Sequence, residues 1–469
     1  MNGLLKTFVC ALTVALAGCI AEKKDPPAPA WSGVFPAPAE KDGCVADAEP
    51  KAHEGPWSWE ELAVRAGARA DAARIEYIAA AARRLRAEED LAWKNPELRY
   101  GHGWDRSREH RWDRGGDSDF YDDVQRGDGY SSSVGVRFYV PNPFVNRYVR
   151  RQANAEVRKK EALAAVEAYG VYGEVKLLCL EVLRARREIE NLSVQERAWD
   201  ELRKAAAESR SQGVFRSPLD VVHAENRYRR THLKRALLES SLDALRRRIA
   251  WLAGLPEEKL EIADAMPEPP EPAALSPEAL SETAFARRPD LAAAVAELEA
   301  ADAGVGATKA AHIPWFRFVQ ATYEHDSGEA SQYDRSDSSH GNQFELEASL
   351  IVPVFTWTGQ SVKLSKLVRE QADARLKSLY TSIRREIVTA YGDYRDASAR
   401  VRTAESVDFI KRLRRQIDDY AASSAADPEE LCKVRIELAD YRKLESDAEL
   451  ARLEAALRLE SVTGGPLPR

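Results

Sequence analysis

The sequence predicts a mainly α-helical chain that also forms a membrane β-barrel, built from a duplicated helix–strand–strand–long helix–helix unit with four strands per chain. Three observations carry this. The chain repeats itself at an offset of roughly 212 to 219 residues: Ser58, Asp71 and Pro96 recur as Ser276, Asp290 and Pro314, and Val140-Pro141 recurs as Val352-Pro353. Each copy holds a run of alternating polarity that ends at that Val-Pro pair. Each run is followed by a proline-poor helical stretch of roughly 65 residues, about 100 Å of helix at 1.5 Å per residue, which no compact domain needs.

The elements follow in order. Residues 1–18 read as a signal peptide, with Lys6 ahead of an apolar core from Phe8 to Ala17 that is too short to span a bilayer. Leu16-Ala17-Gly18-Cys19 resembles the bacterial lipobox, in which the signal is cut before the cysteine and the thiol is acylated. Cys19 therefore carries the predicted covalent lipid, and Ile20 behind it favours the outer membrane over inner-membrane retention. Residues 19–56, with Asp25-Pro26-Pro27-Ala28-Pro29, have the composition of an extended tether.

Repeat 1 spans 57–255. An opening helix over about 58 to 94 is stopped by Asn95-Pro96, because the residue before proline is pushed out of the helical region. Strands are predicted over about 97–104 and 131–140, with a Gly-, Asp-, Ser- and Arg-rich loop between them. In the second, Val134, Val136, Phe138 and Val140 alternate with Ser133, Gly135, Arg137 and Tyr139. A long helix over about 144–212, a turn, and a return helix over about 218–253 complete the unit. After a Pro-rich linker at 256–275, repeat 2 spans 276–465. Its strands are predicted over about 315–324 and 343–352, its long helix over about 360–425 and its return helix over about 428–462. Val175, Leu178, Val182 and Ala185 match Ile387, Ala390, Tyr394 and Ala397, a 3,4,3 heptad seam that packs the long helices lengthwise.

Composition sets the limits. Charged residues make up 31% and hydrophobic ones 44%, the mean hydropathy is −0.48, and past the N-terminus no apolar run reaches the 18 residues a membrane helix needs. A net charge of −7 excludes a nucleic-acid binder, and the arginine-rich helices carry comparable acidic charge. Four strands cannot close a barrel, and an open edge in lipid leaves backbone groups unpaired. The smallest stable barrels need about 8 strands. Assembly follows: a homotrimer, three chains of four strands, gives a 12-stranded barrel with a water-filled bore. A β-capped coiled-coil rod without a pore is the other reading of the same pattern.

Arg287-Arg288-Pro289-Asp290-Leu291, then an Ala-rich helix, Gly304-Val305-Gly306 and Pro314, resemble the outer-membrane efflux protein (TolC-like) family, as do Gly213, Ser217, Leu219, Asp220, Val221 and Val222 at the first turn. The resemblance covers residues 58 to 465. It implies a lipoprotein-type trimer with its barrel in the outer membrane and an α-helical tunnel in the periplasm. It also implies a periplasmic adaptor at the tip and an inner-membrane transporter, of the RND type, behind it. The chain would then be an exit duct for small solutes such as drugs or metal ions, and not an enzyme. The exit duct of a type I protein secretion system shares the fold. Asn95-Pro96-Glu97-Leu98 resembles the opening in ducts that serve heavy-metal pumps.

Candidate sites follow from this. Gly213, Ser217, Leu219 and Asp220 form the adaptor-contact turn; the equivalent Ser423 to Pro428 lacks glycine and departs from the family. Asp418, Asp419 and Asp427 lie where the family narrows its tunnel, and a trimer repeats each as a ring of three. Glu345 and Glu347, on the polar strand face, would line the barrel lumen. No Cys/His spacing, nucleophile elbow, phosphate-binding Gly loop or HExxH is present, so no metal site or cofactor is predicted. Cys179 and Cys432 read as buried small hydrophobes.

Overall fold

The computed structural model describes residues 40–41, 44–45, 55–91, 94–114, 120–211, 218–256, 260–263, 268–332, 335–352, 359–404, 412–413, 415–417, 419–420 and 428–467. A two-residue hairpin, β1 (Glu40–Lys41) and β2 (Cys44–Val45), precedes the first repeat. Repeat 1 contains α1 (Trp59–Ala68), α2 (Asp71–Leu91), β3 (Glu97–Arg114), β4 (Phe120–Tyr139), α3 (Pro143–Ser211) and α4 (Pro218–Ala253). Repeat 2 contains α5 (Pro277–Arg287), α6 (Pro289–Ala310), β5 (Trp315–Gln332), β6 (Arg335–Ile351), α7 (Gln360–Ala404) and α8 (Pro428–Thr463).

Three expectations are corrected. The opening helix over 58 to 94 is two helices, α1 and α2, and its counterpart is α5 and α6. In copy 2 the cause is Pro289, which holds Arg288 at φ −67°, ψ 121°, outside the helical region. In copy 1 the break falls at Arg69, whose amide donates to the carbonyls of Ala66 and Gly67. The strands are 17 to 20 residues long instead of about ten, because β3 and β4 stay paired from Glu97↔Arg137 to Arg114↔Phe120 through the segment expected to be loop. A strand polar on both faces has no period-2 hydrophobic signal to read. The linker over 256–275 is not free chain: Leu260, Ile262 and Pro272 are buried, and Ile262 bridges Trp57 in parallel. Its prolines leave carbonyls without helical partners, and these accept from tyrosines, Tyr391 Oη to Pro272 O at 3.2 Å and Tyr394 Oη to Pro270 O. Of the long helix expected over 360–425, the described residues show α7 to Ala404 and helical fragments up to 420.

The chain divides into two compact units. One takes Ala81–Val157 and Glu297–Asp373. It holds a four-stranded antiparallel sheet in the order β3-β4-β5-β6, so β4 of repeat 1 pairs with β5 of repeat 2, from Arg126↔Ser331 to Tyr139↔Phe318. Beside the sheet the adjoining helix ends are joined by Arg83–Glu156 (2.5 Å), Arg369–Asp302 (2.5 Å) and Thr308 Oγ1 to Ser365 Oγ (2.9 Å). Gly306 of α6 lies against the ring of Tyr148 on α3, leaving no room for a Cβ.

The second unit, within Asp25–Ala80, Arg158–Ala296 and Ala374–Arg469, is helical and carries two cores. One joins α1, α3 and α4 around Leu62, Val175, Val182 and Ile249. The other joins α5, α7 and α8 around Leu280, Ile383, Ile387, Tyr394 and Leu459. The heptad seams lie inside these cores, with Val175, Ile387 and Tyr394 fully buried. Helix α8 serves both, through Leu450 and Leu453 in the first and Ala456 and Leu459 in the second.

Ion pairs along α3 and α8 bind the repeats together: Arg184–Glu454 and Arg187–Glu449 at 2.9 Å, Lys443–Glu188 at 2.6 Å, and Glu201–Arg435. Burial would lower the Lys176 pKa, but Glu60 at 2.7 Å and Glu460 at 3.1 Å outweigh it and hold the ammonium above its ordinary range. Burial pushes the Cys179 thiol up to about 12, which keeps it protonated and inert at neutral pH.

Helix α4 contacts α3 through Arg203–Glu225 and Arg235–Glu196, so the packing order is α4–α3–α8–α7. Leu219, Val222, Leu233, Leu237 and Trp251 of α4 are exposed. At 100° per residue all five fall within one arc of roughly 60°, on the side away from α3.

The duplication is most exact where each return helix ends. Gly254 (φ +61°) and Gly464 (φ +75°) are the matching left-handed caps. Arg69 closes over the first and Arg288 over the second, with Arg288 Cγ 3.0 Å from the Cβ position of Gly464. Arg288 donates to Asp290 (3.0 and 2.6 Å), Glu386 (2.9 Å) and the Val462 carbonyl (3.1 Å), tying the α5–α6 junction to α7 and α8. Desolvation works against its charge, yet these carboxylates raise its pKa. Arg288→Ala is expected to destabilise the helical unit by about 2–3 kcal/mol, since it orphans carboxylates and a carbonyl around a half-buried charge. Lys433→Ala, in the exposed Lys433–Glu429 pair, is expected to change stability by less than about 0.5 kcal/mol. Denaturant unfolding followed by helical circular dichroism measures both, and equal midpoints would contradict the clasp.

Candidate membrane-spanning sheet

The sheet has two unlike faces. Cross-strand register stacks Leu98, Val136, Ala321 and Leu346 in one row and Tyr100, Val134, Tyr323 and Phe344 in the next, all on one face. These side chains lie open in the single chain: Leu98 is 75% exposed, Phe344 71% and Leu346 69%. A contiguous apolar face of this extent needs a covering phase. Aromatic side chains stand at both ends of the band. At the end nearer the helices, Phe144, Trp315 and Phe316 meet edge to face, and Trp315 Nε1 donates to the Pro141 carbonyl at 3.1 Å. At the other end are Trp104 and Tyr130, with His102 edge-on to Tyr130 at 4.4 Å. From Tyr130 to Phe138 the strand rises roughly 27 Å, or about 20 Å along the normal at a 40° tilt, close to the height of a barrel's apolar band.

The opposite face is polar. One row reads Glu97, Arg137, Gln320 and Glu347; the next reads Arg99, Gly135, Thr322 and Glu345. Arg137 Nε donates to Gln320 Oε1 at 2.7 Å and its guanidinium lies 3.9 Å over the ring of Phe318. Tyr139 Oη donates to Glu97 Oε1 at 2.8 Å. With Glu324 and Asp326 two rows on, this face holds five carboxylates against two guanidinium groups.

Glu345 and Glu347 therefore stand together on the polar face, one row apart. Sequence reasoning missed Glu97, Arg99, Glu324 and Asp326, which the register brings onto the same surface. The alternation of Glu97 and Arg99 with Leu98 and Tyr100 was the available signal for the first pair. Of the turn residues, Leu219 is 64% exposed at the start of α4, and Asp220 lies in the same helix turn. Gly213, Ser217, Asp418, Asp427 and the lipidation residue Cys19 lie outside the described residues. Asp419 sits exposed in a short helical fragment beside Tyr420, whose hydroxyl donates to Glu430 at 2.9 Å. Among the described residues, no helix is long and apolar enough to cross a membrane.

Residues 280–465 match the family model described as outer membrane efflux protein. No curated protein sequence matches the chain. Several solved structures share its fold. The outer membrane protein VceC of Vibrio cholerae aligns with a TM-score of 0.59 at 14% identity, over 87% of this chain and 96% of that one. CusC, whose structures trace folding and transmembrane channel formation, gives 0.62 at 15% identity, over 95% and 99%. The outer membrane channel CmeC of Campylobacter jejuni gives 0.60 at 12% identity, over 95% and 90%. Residues 280–465 are thus similar to the outer membrane efflux protein family, and the chain shares its fold with solved outer-membrane channels.

Proposed function

We propose that this chain is the outer-membrane exit duct of a tripartite efflux pump, passing small solutes such as drugs or metal ions without catalysing any reaction. The two-faced sheet with an open strand at each edge carries the reading. The outer edges of β3 and β6 leave backbone N–H and C=O groups unpaired in the single chain, and lipid makes each such group cost several kcal/mol. Pairing β6 of one copy with β3 of the next removes both edges and gives a 12-stranded barrel in a homotrimer. The long helices pack in the order α4–α3–α8–α7 among the described residues, and the exposed apolar stripe of α4 is a ready contact for a neighbouring copy.

In this reading the apolar face meets lipid and the acidic face, including Glu345 and Glu347, lines the bore and favours cations. Cys19 carries a lipid that anchors the N-terminus in the outer membrane. The turn at Gly213, Ser217, Leu219 and Asp220 receives a periplasmic adaptor coupled to an inner-membrane transporter of the RND type. Asp418, Asp419 and Asp427 form the periplasmic gate. The family match, the shared channel fold and the export signal support these assignments.

Three outcomes test this. Detergent-solubilised protein should have the mass of a trimer by light scattering and conduct in a planar bilayer; a monomer, or a silent trimer, removes the duct reading. Cys19→Ser should abolish fatty-acid labelling, and persistent labelling would refute the anchor. Leu346→Arg should cost about 2–4 kcal/mol of barrel stability, since it places a charge on the lipid face near mid-band. Glu345→Arg, one residue away on the bore face, should cost much less and shift selectivity toward anions. Heat-modifiability gels and reversal potentials read these two effects.

A further inference from the structure

We propose that Arg137 is a specificity-determining residue of the bore, cancelling the carboxylates at the helix-proximal end of the polar face and leaving cation selection to its outer end. The inference rests on the barrel reading above, because it takes the polar face to line the bore. Arg137 is fixed from two sides. Its guanidinium lies 3.9 Å over the ring of Phe318, an apolar side chain on the polar face that is 8% exposed beneath it. Its Nε donates to Gln320 Oε1 at 2.7 Å, and Gln320 Nε2 donates to Thr322 Oγ1 at 2.9 Å. Arginine has no acceptor, so Gln320 must present its oxygen to it, which leaves the amide nitrogen to serve the threonine.

Around Arg137 the charges balance. The register sets Glu97 directly opposite it and Glu347 in the same row, and the next row holds Arg99 and Glu345. Lys94 Nζ lies 5.9 Å from the ring of Tyr139, whose hydroxyl holds Glu97. Three cations therefore meet three carboxylates at this end. Farther out the balance is lost. Glu324 shares its row with Gly101, Ser133 and Gln343, and Asp326 shares the next with Gly103, Ser131 and Gly341, so neither row holds a cation. Serine hydroxyls fill the space over the glycines, Ser133 Oγ standing 2.5 Å from the Cβ position of Gly101 and Ser131 Oγ 2.9 Å from that of Gly103. From Gln320, in the Arg137 row, to Asp326 the strand rises roughly 20 Å, whereas screening acts over about 8 Å at physiological salt. Arg137 thus neutralises its own level and leaves Asp326 uncompensated. An entering cation crosses a near-neutral collar that does not trap it, and the outer end discriminates against anions.

The test records the full-length trimer in planar bilayers under a KCl gradient, with the trimer mass checked by light scattering. Arg137→Gln should raise the potassium-to-chloride permeability ratio about threefold at low salt, since every chain loses a positive charge from the bore wall. Arg137→Lys keeps the charge and should keep the wild-type ratio. The double substitution Glu324→Gln, Asp326→Asn should lower the ratio by at least about threefold. A conducting trimer in which Arg137→Gln matches wild type overturns the assignment. So does an Arg137→Lys variant shifted as far as Arg137→Gln, which would make the residue's role structural. A double variant with wild-type selectivity overturns the outer end as the selecting level. A protein that neither trimerises nor conducts counts instead against the duct itself.

Discussion

Backbone hydrogen bonding at the two outer edges of the sheet governs this protein. Inside the sheet β3–β4 and β5–β6 pair along nearly their whole lengths, and β4 pairs with β5 across the two repeats from Arg126↔Ser331 to Tyr139↔Phe318. Among the described residues, the outer edges of β3 and β6 pair with no other strand. In water such an edge is merely sticky, and proteins blunt it with charge or short strands. In hydrocarbon it is forbidden, so under the proposed reading, in which the apolar face meets lipid, the edges must close against further copies. The helical unit has the same incompleteness, with α4 and α7 at the ends of its packing order.

The duplication meets this demand economically. Each copy supplies two strands, a long helix and a return helix, and each ends its return helix under an arginine, Arg69 over Gly254 and Arg288 over Gly464. The left-handed glycine lets the chain turn tightly, and the arginine reads that turn by filling the space a side chain would take. The copies are not equal. Arg288 is bound by two carboxylates and a carbonyl two residues before its glycine, whereas in copy 1 it is Arg65 that donates to a helix-end carbonyl, Ala253 O, one residue before Gly254, at 2.8 Å. The family motif that contains Arg288, Pro289 and Asp290 is thus a structural joint, and its specificity in sequence reflects geometry more than chemistry.

Charge is sorted by position. Along α3 and α8 opposite charges pair beside the buried Leu and Val side chains of the core. On the sheet one face is stripped of charge over two successive rows while the other carries five carboxylates and two arginines.

Much of this was legible in the sequence because it rests on local periodicity and steric rules. Alternation at 134–140 and 344–352, the heptad seams, the proline stops and the offset between copies each constrain neighbours along the chain. What alternation could not reveal was the length of the strands. Residues 105–114 and 120–128 show no run of alternating hydrophobicity in the sequence, and pairing with a partner strand is what defines them as β. The break at Arg69, the packing of the Pro-rich strap under Tyr391 and Tyr394, and the meeting of Glu97, Arg137, Gln320 and Glu347 in one row were decided by tertiary structure alone. Each depends on residues tens to hundreds of positions apart, whose register is set by hydrogen bonds and packing that no local pattern encodes.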